Sequence, residues 1–173
     1  MTDEEVHRGL ADVTVAETRL SHIDGEHGEL WIAGYPVEDL AANATYPETV
    51  FLLLYDRLPN GEELEEFQDH LCSYRTLPEP CRKTVVEAAQ RGAGPMAALR
   101  MGAATATAVE PNDPEADALR LIARLPTITA TYWRVLSSEE PIEPRLDLGH
   151  AANYLYMLTG EEPTDAAVEG LET

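Results

Sequence analysis

The sequence predicts a mainly α-helical chain that opens with a short β-hairpin. Three observations lead there. β-Branched residues and turn glycines are concentrated in residues 13–33, and from residue 36 onward apolar residues recur at three- and four-residue spacing. The boundaries between those later runs carry capping signatures, prolines or glycines. With 173 residues and 44% hydrophobic composition, the chain suits one domain and is too apolar for disorder.

Val13-Thr14-Val15 supplies the outgoing strand of the hairpin, Asp24-Gly25 and Gly28 mark its turn, and Leu30-Trp31-Ile32 returns. Pro36 suits the first helical position before Val37, Leu40 and Ala41. Thr45 with Glu48 three residues on is a capping box, and the Val50 to Tyr55 run behind it is apolar nearly all round. Asn60 with Glu63 repeats the signal. The helix it opens puts Leu64, Phe67, Leu71 and Tyr74 on one face and Glu62, Glu65, Glu66 and Asp69 on the other. A further helix runs from about Pro80 to Gly92.

Two later helices differ in kind. Pro95 to Val109 carries a single basic residue, Arg100, and is crowded with small side chains, which let helix backbones approach closely. Asp113 to Val135 opens with an N-cap and Pro114. It shows two apolar stripes, one of Leu119, Ile122, Ala123, Ala130 and Trp133, the other of Leu121, Leu125, Ile128, Tyr132 and Val135. Arg120, Arg124, Thr127, Thr131 and Arg134 form a third, polar strip. Both helices call for burial on more than one side, which points to a subunit interface as well as a core. Leu148 to Leu158 is another helix ended by Gly160, and a last one starts near Thr164 and presents Val168 and Leu171.

Twelve Lys+Arg against 32 Asp+Glu leave a net charge of −20. A nucleic-acid partner needs a basic footprint, and no run of Lys or Arg supplies one. No cationic amphipathic helix suits an anionic membrane, and no apolar stretch reaches the ~18 residues of a span. Lys83 is the single lysine. A GC-rich genome explains arginine in place of lysine. The acidic excess favours a halophilic protein in molar salt, where a Debye length of about 3 Å screens self-repulsion. Cys72 and Cys81 fit no zinc or redox spacing and read as reduced thiols; residues 1–20 hold no signal-peptide core, so a cytoplasmic location is expected.

The residues by themselves present no active-site motif and no metal-ligand spacing. His7, His22, His27, His70 and His150 share no helical ligand spacing. His22 and His27 flank the hairpin turn without a third ligand, and His150 beside Asn153 reads as a satisfied, half-buried histidine. Gly25, Gly28 and Gly34 do not precede a helix in phosphate-cradle order. The pairs Glu62/Glu63, Glu65/Glu66 and Glu161/Glu162 read as solvated faces, and no nucleophile motif occurs.

These segments, taken together, resemble the citrate synthase family of the shorter bacterial and archaeal type. The resemblance starts at Val15-Ala16-Glu17-Thr18-Arg19-Leu20-Ser21-His22-Ile23-Asp24-Gly25 and passes through Leu30-Trp31-Ile32-Ala33-Gly34-Tyr35-Pro36-Val37-Glu38-Asp39-Leu40-Ala41. It continues at Leu52-Leu53-Leu54-Tyr55-Asp56-Arg57-Leu58-Pro59, Pro95-Met96-Ala97-Ala98-Leu99-Arg100 and Ile122-Ala123-Arg124-Leu125-Pro126-Thr127-Ile128. Its strongest part is His150-Ala151-Ala152-Asn153-Tyr154-Leu155-Tyr156-Met157-Leu158. Ala33, Asp56 and Gly94 depart from residues common in the family, where Arg, Gly and His respectively are usual.

The resemblance implies a citrate synthase-like helical large domain over residues 1–173, with the small domain and the catalytic half lying beyond Thr173. It implies, for the whole protein, condensation of acetyl-CoA with oxaloacetate in the tricarboxylic acid cycle. A family Asp removes a proton from the acetyl-CoA methyl group while histidines stabilise the enol and polarise the oxaloacetate carbonyl. None of the segments carrying those residues is present, so no catalytic, cofactor-binding or metal residue carries over and acetyl-CoA is the co-substrate of the family alone. The implied partner is a second citrate synthase chain, in a homodimer or heterodimer. The two unusual helices match the family's dimer contact, which places Met96, Leu99, Gly102, Ala103, Ala106, Leu125, Ile128 and Tyr132 at the expected interface.

Overall fold

The computed structural model describes residues 16–111 and 113–172. A three-stranded antiparallel sheet, β1 (Ser21–Asp24), β2 (Glu29–Ile32) and β3 (Tyr35–Pro36), precedes eight helices among the described residues. The outgoing strand expected at 13–15 lies outside those residues. In the described hairpin, β1 pairs with β2 in the register Ser21 to Ile32 and Asp24 to Glu29. Asp24 closes the turn between them by accepting from the backbone N–H groups of Glu26 and His27 at 3.0 and 3.1 Å.

β3 replaces the helix start expected at Pro36. Ala33 and Gly34 both take positive φ, 46° and 89°, which is the pair a tight two-residue hairpin demands. The chain therefore reverses once more, Pro36 stays extended at ψ 139° opposite Trp31, and the first helix, α1 (Val37–Asn43), begins one residue later.

Both capping boxes form. Thr45 opens α2 (Tyr46–Tyr55), its backbone N–H donating to Glu48 Oε2 at 2.7 Å. Asn60 opens α3 (Gly61–Ser73), where the Glu63 N–H donates to Asn60 Oδ1 at 3.0 Å and the Asn60 N–H donates back to Glu63 Oε2 at 2.9 Å. Two of the orphan amides at that end are thereby satisfied. Asn60→Ala is expected to cost about 1 kcal/mol, read as a lower urea midpoint at unchanged m-value.

Phe67 and Leu71 of α3 are buried while Glu62, Glu65, Glu66 and Asp69 are exposed, as the periodicity predicts. The following helices are α4 (Glu79–Gln90), α5 (Pro95–Ala106), α6 (Pro114–Leu136), α7 (His150–Thr159) and α8 (Asp165–Glu172). Gly92, at φ +70°, ends α4 by allowing the Gly92 and Ala93 N–H groups to donate to Ala89 and Ala88 carbonyls. α5 stops three residues short of the expected Val109, which is 61% exposed and has no partner face to hold another turn.

α6 joins two apolar clusters. Its N-terminal half brings Leu119 and Ala123 against Val50, Phe51, Phe67 and Leu71. Its C-terminal half brings Ile128 and Tyr132 against Cys81, Val85, Ala98 and Ala106 from α4 and α5. The polar strip expected on the outside of α6 is largely inside, with Arg124, Thr127 and Thr131 all at most 5% exposed, whereas Trp133, assigned to an apolar stripe, is 53% exposed. The inversion has a local cause. The 74–76 segment passes over the strip and offers backbone carbonyls, so Thr127 Oγ1 donates to Arg75 O at 2.9 Å and Arg124 Nε to Tyr74 O at 3.0 Å.

Candidate functional site

The residues placed at an expected interface separate into two groups. Ala106 and Ile128 are fully buried, Tyr132 is 7% exposed, and Gly102 is buried beneath Ile128 and Val85. Tyr132 Oη donates to Ala93 O at 2.7 Å, fixing α6 to the turn that leads into α5. These four are enclosed by the chain's own core rather than presented outward. Ala98, Gly102 and Ala106 repeat every four residues, and that stripe lets α5 approach α4 and α6 within the chain. Leu99, Ala103 and Leu125 are half-buried and Met96 is 66% exposed.

Large apolar side chains that do remain exposed on α5 and α6 are Met96, Met101, Trp133 and Leu136. Met101, Trp133 and Leu136 were not among the residues expected at the interface, although periodicity had placed Trp133 on an apolar stripe of α6. The signal was available for Met96, which lies one helical turn before Arg100 on a side that a charged residue keeps toward solvent.

Among the described residues the histidines form no constellation. His22 and His27 are exposed, and His27 Nδ1 contacts Asp24 Oδ2 at 2.8 Å within the turn; His70 is exposed on α3; His7 lies outside the described residues. Among the described residues no group of three or more His, Cys, Asp or Glu side chains converges for a metal ion. Among them, too, no helix is long and apolar enough to cross a membrane. Cys72 and Cys81 are free thiols; Cys81 is buried, donates to Gly102 O at 3.3 Å, and has its pKa raised by that burial. The acid pairs stay on the surface, with one structural exception. Glu63 takes Arg57 as well as the helix cap, and these bonds lower its pKa to about 2.

Polar groups do gather at the first turn of α7. His150 stacks on Tyr46 with ring centroids 4.8 Å apart, and Asn153, 2% exposed, accepts from the Arg145 N–H at 2.8 Å. Arg75, also 2% exposed, reaches in from the segment after α3 and donates through Nη1 to Arg145 O and Leu148 O at 2.8 and 2.7 Å. No motif or spacing marks Arg75 in the sequence, although a lone arginine between Tyr74 and Leu77 is a visible irregularity. Burial, and then the nearby Arg75 charge, push the His150 imidazole down to about 4.

That shift has a sign. With the folded value below the ordinary 6.5, the unfolded chain binds the extra proton first, so stability falls as pH drops from 6.5 to about 4. At most about 3 kcal/mol is at stake, less whatever the ring's residual exposure screens. Urea midpoints of wild type and His150→Phe across this window check it. The variant should be distinctly flatter, and parallel losses would remove His150 from the account.

No acid, base and nucleophile converge among the described residues, and kinship is carried by the fold and the sequence. A family model described as "Citrate synthase, C-terminal domain" matches residues 9–173. The citrate synthase of Haloferax volcanii is 41% identical over 95% of this chain and 46% of its own length. That of a Synechocystis species is 34% identical over 98% of this chain and 44% of its own. The crystal structure of citrate synthase from Pyrobaculum aerophilum superposes with a TM-score of 0.86 at 37% identity, covering 94% of this chain and 44% of that one. The chain thus spans less than half the length of the relatives it matches. Matched over nearly all its residues in sequence and in fold, the chain belongs to the citrate synthase family.

Proposed function

We propose that this chain is the N-terminal large-domain portion of a citrate synthase-type protein. Whole, that protein condenses acetyl-CoA with oxaloacetate and water to give citrate and CoA. The observation that carries the reading is the family match from residue 9 to residue 173. The 173-residue chain alone is catalytically silent. Its sequence holds none of the family's histidine and aspartate motifs, and its buried Arg124 serves structure, engaged by Glu110 and three backbone carbonyls. Release of CoA from acetyl-CoA and oxaloacetate by the purified chain is the direct assay. Background rates support the reading and substantial turnover overturns it.

A second reading is a non-catalytic partner that pairs with another citrate synthase chain, full-length or separately encoded. It is favoured by the apolar side chains left exposed on α5 and α6, Met96, Met101, Trp133 and Leu136. The net charge of −20 suits a cytoplasmic, salt-adapted surface in either case, and repels the anionic substrates unless cations converge on them.

A further inference from the structure

We propose that the cavity at the N-terminal end of α7 is a binding site for a small oxyanion, phosphate or carboxylate, held by Arg75, His150 and the first turn of the helix. The cavity measures about 220 Å³ and is lined by residues of α2, α3 and the segment entering α7, among them Pro47, Asp69, Cys72 and Leu148. At roughly 30 Å³ per water it has room for several waters or one small ion.

The first argument is an unneutralised charge. Among the described residues two arginines are buried almost completely, Arg75 at 2% and Arg124 at 5% exposure. Arg124 has a carboxylate, Glu110, 2.7 Å from Nη2. Arg75 has only backbone carbonyls, its Nε is buried without a hydrogen-bond partner, and burial lowers its pKa with only the nearby Cys72 thiol opposing. Buried charges are normally paired. The second argument is the kind of groups that converge. His150 Nδ1 is likewise buried without a partner, and Gly149 caps α7 with no side chain to receive the first amides. Guanidinium and helix-end N–H groups are all donors, and a neutral imidazole joins them in its Nδ1–H form. An oxyanion supplies several acceptor lone pairs and a negative charge at one point, which a water does not.

The cavity's other charged groups define the preference. Asp69 and Asp147 also line it, and Asp147 is engaged by Arg145 Nε at 3.0 Å. Their charge favours a singly charged oxyanion over a multiply charged one. Tyr46 covers one face of His150, and Arg75, Asp69, Asp147 and Cys72 are the remaining titratable or charged groups around it.

The test titrates the 173-residue chain with inorganic phosphate and, separately, with acetate, at ionic strength held constant with chloride, while the His150 imidazole is followed by NMR. Saturable binding is expected, with the His150 pKa raised by at least a unit from about 4 at saturation, because an adjacent anion favours the protonated ring. Response to phosphate alone names free phosphate as the ligand; response to acetate alone, or to both, names a carboxylate or the shared oxyanion chemistry. Arg75→Met should abolish saturation. Since it also releases the Arg145 and Leu148 carbonyls, His150→Phe is the companion, keeping the stack on Tyr46 and weakening the affinity several-fold. A response that is linear, and equal in chloride, means the cavity holds only water and overturns the proposal.

Discussion

Replacing Arg124 with methionine is expected to lower the unfolding free energy by about 3 kcal/mol, the low end of the range for removing one partner of a buried ion pair. Arg124 ties three segments to the middle of α6. Its Nε donates to Tyr74 O and Thr76 O at 3.0 and 3.2 Å, Nη1 to Ala106 O, and Nη2 to Glu110 Oε1 at 2.7 Å. Those acceptors belong to the end of α3 with its following turn, the last residue of α5, and the loop before α6. Methionine fills similar volume but leaves the carbonyls without a donor, and an unsatisfied buried acceptor costs more than a hydrogen bond returns. The loss stays at the low end for two reasons. Glu110 keeps 23% of its side chain exposed, and Arg120 Nε remains 2.6 Å from Glu110 Oε2, close though not aligned for a hydrogen bond. Urea unfolding at neutral pH measures the effect. Glu110→Gln in the same background should add less than it does alone, because the pair is shared. A midpoint change worth under about 1 kcal/mol would mean the Arg124 network contributes little beyond packing.

Arg124 also marks where the sequence stops being legible. Helix existence was readable almost throughout, since spacing and caps are local. Asn60 with Glu63 and Thr45 with Glu48 form the boxes their identities predict, and Gly160, at φ +83°, closes α7. Polarity along α6 was not readable, because an arginine at a given helical angle is outside unless another part of the chain brings it carbonyls. Here the Tyr74 to Thr76 segment, some fifty residues away in sequence, does so. The third strand was hidden for a related reason. Ala33 accepts φ 46°, a conformation its side chain does not advertise, so Pro36 read as a helix start. Of the polar groups gathered at the first turn of α7, His150 and Asn153 were visible as residues, but nothing local joined them to Arg75. The acidic composition argues against a nucleic-acid partner, yet it concealed that, among the described residues, the most deeply buried charged side chains are arginines.

Gly102→Val is expected to destabilise the chain by about 3 kcal/mol, the upper end for overpacking a core, and to do so without changing its oligomeric state. A Cβ built at Gly102 would lie 2.7 Å from Ile128 Cγ2, 3.0 Å from Val85 Cγ2 and 3.2 Å from Ile128 Cδ1. Ile128 is 0% exposed and β-branched, and Val85 is 0% exposed, so neither has a free rotamer to retreat into. Gly102→Ala should cost less, because about 1 kcal/mol of helix propensity is regained against the same first contact. Ile128→Ala should rescue Gly102→Val in part, since the removed methyl groups leave the volume that valine fills. Urea midpoints for the four variants test the packing, and sedimentation or size exclusion tests the alternative. A small residue at a subunit interface and one inside a core both permit close helix approach, but they fail differently. At an interface the substitution shifts the association equilibrium and leaves the subunit's own stability nearly intact; inside the core it lowers stability at any protein concentration. Because Gly102 meets Ile128 and Val85 of its own chain, the second pattern is expected, and the apolar side chains that α5 leaves exposed are Met96 and Met101, away from that contact.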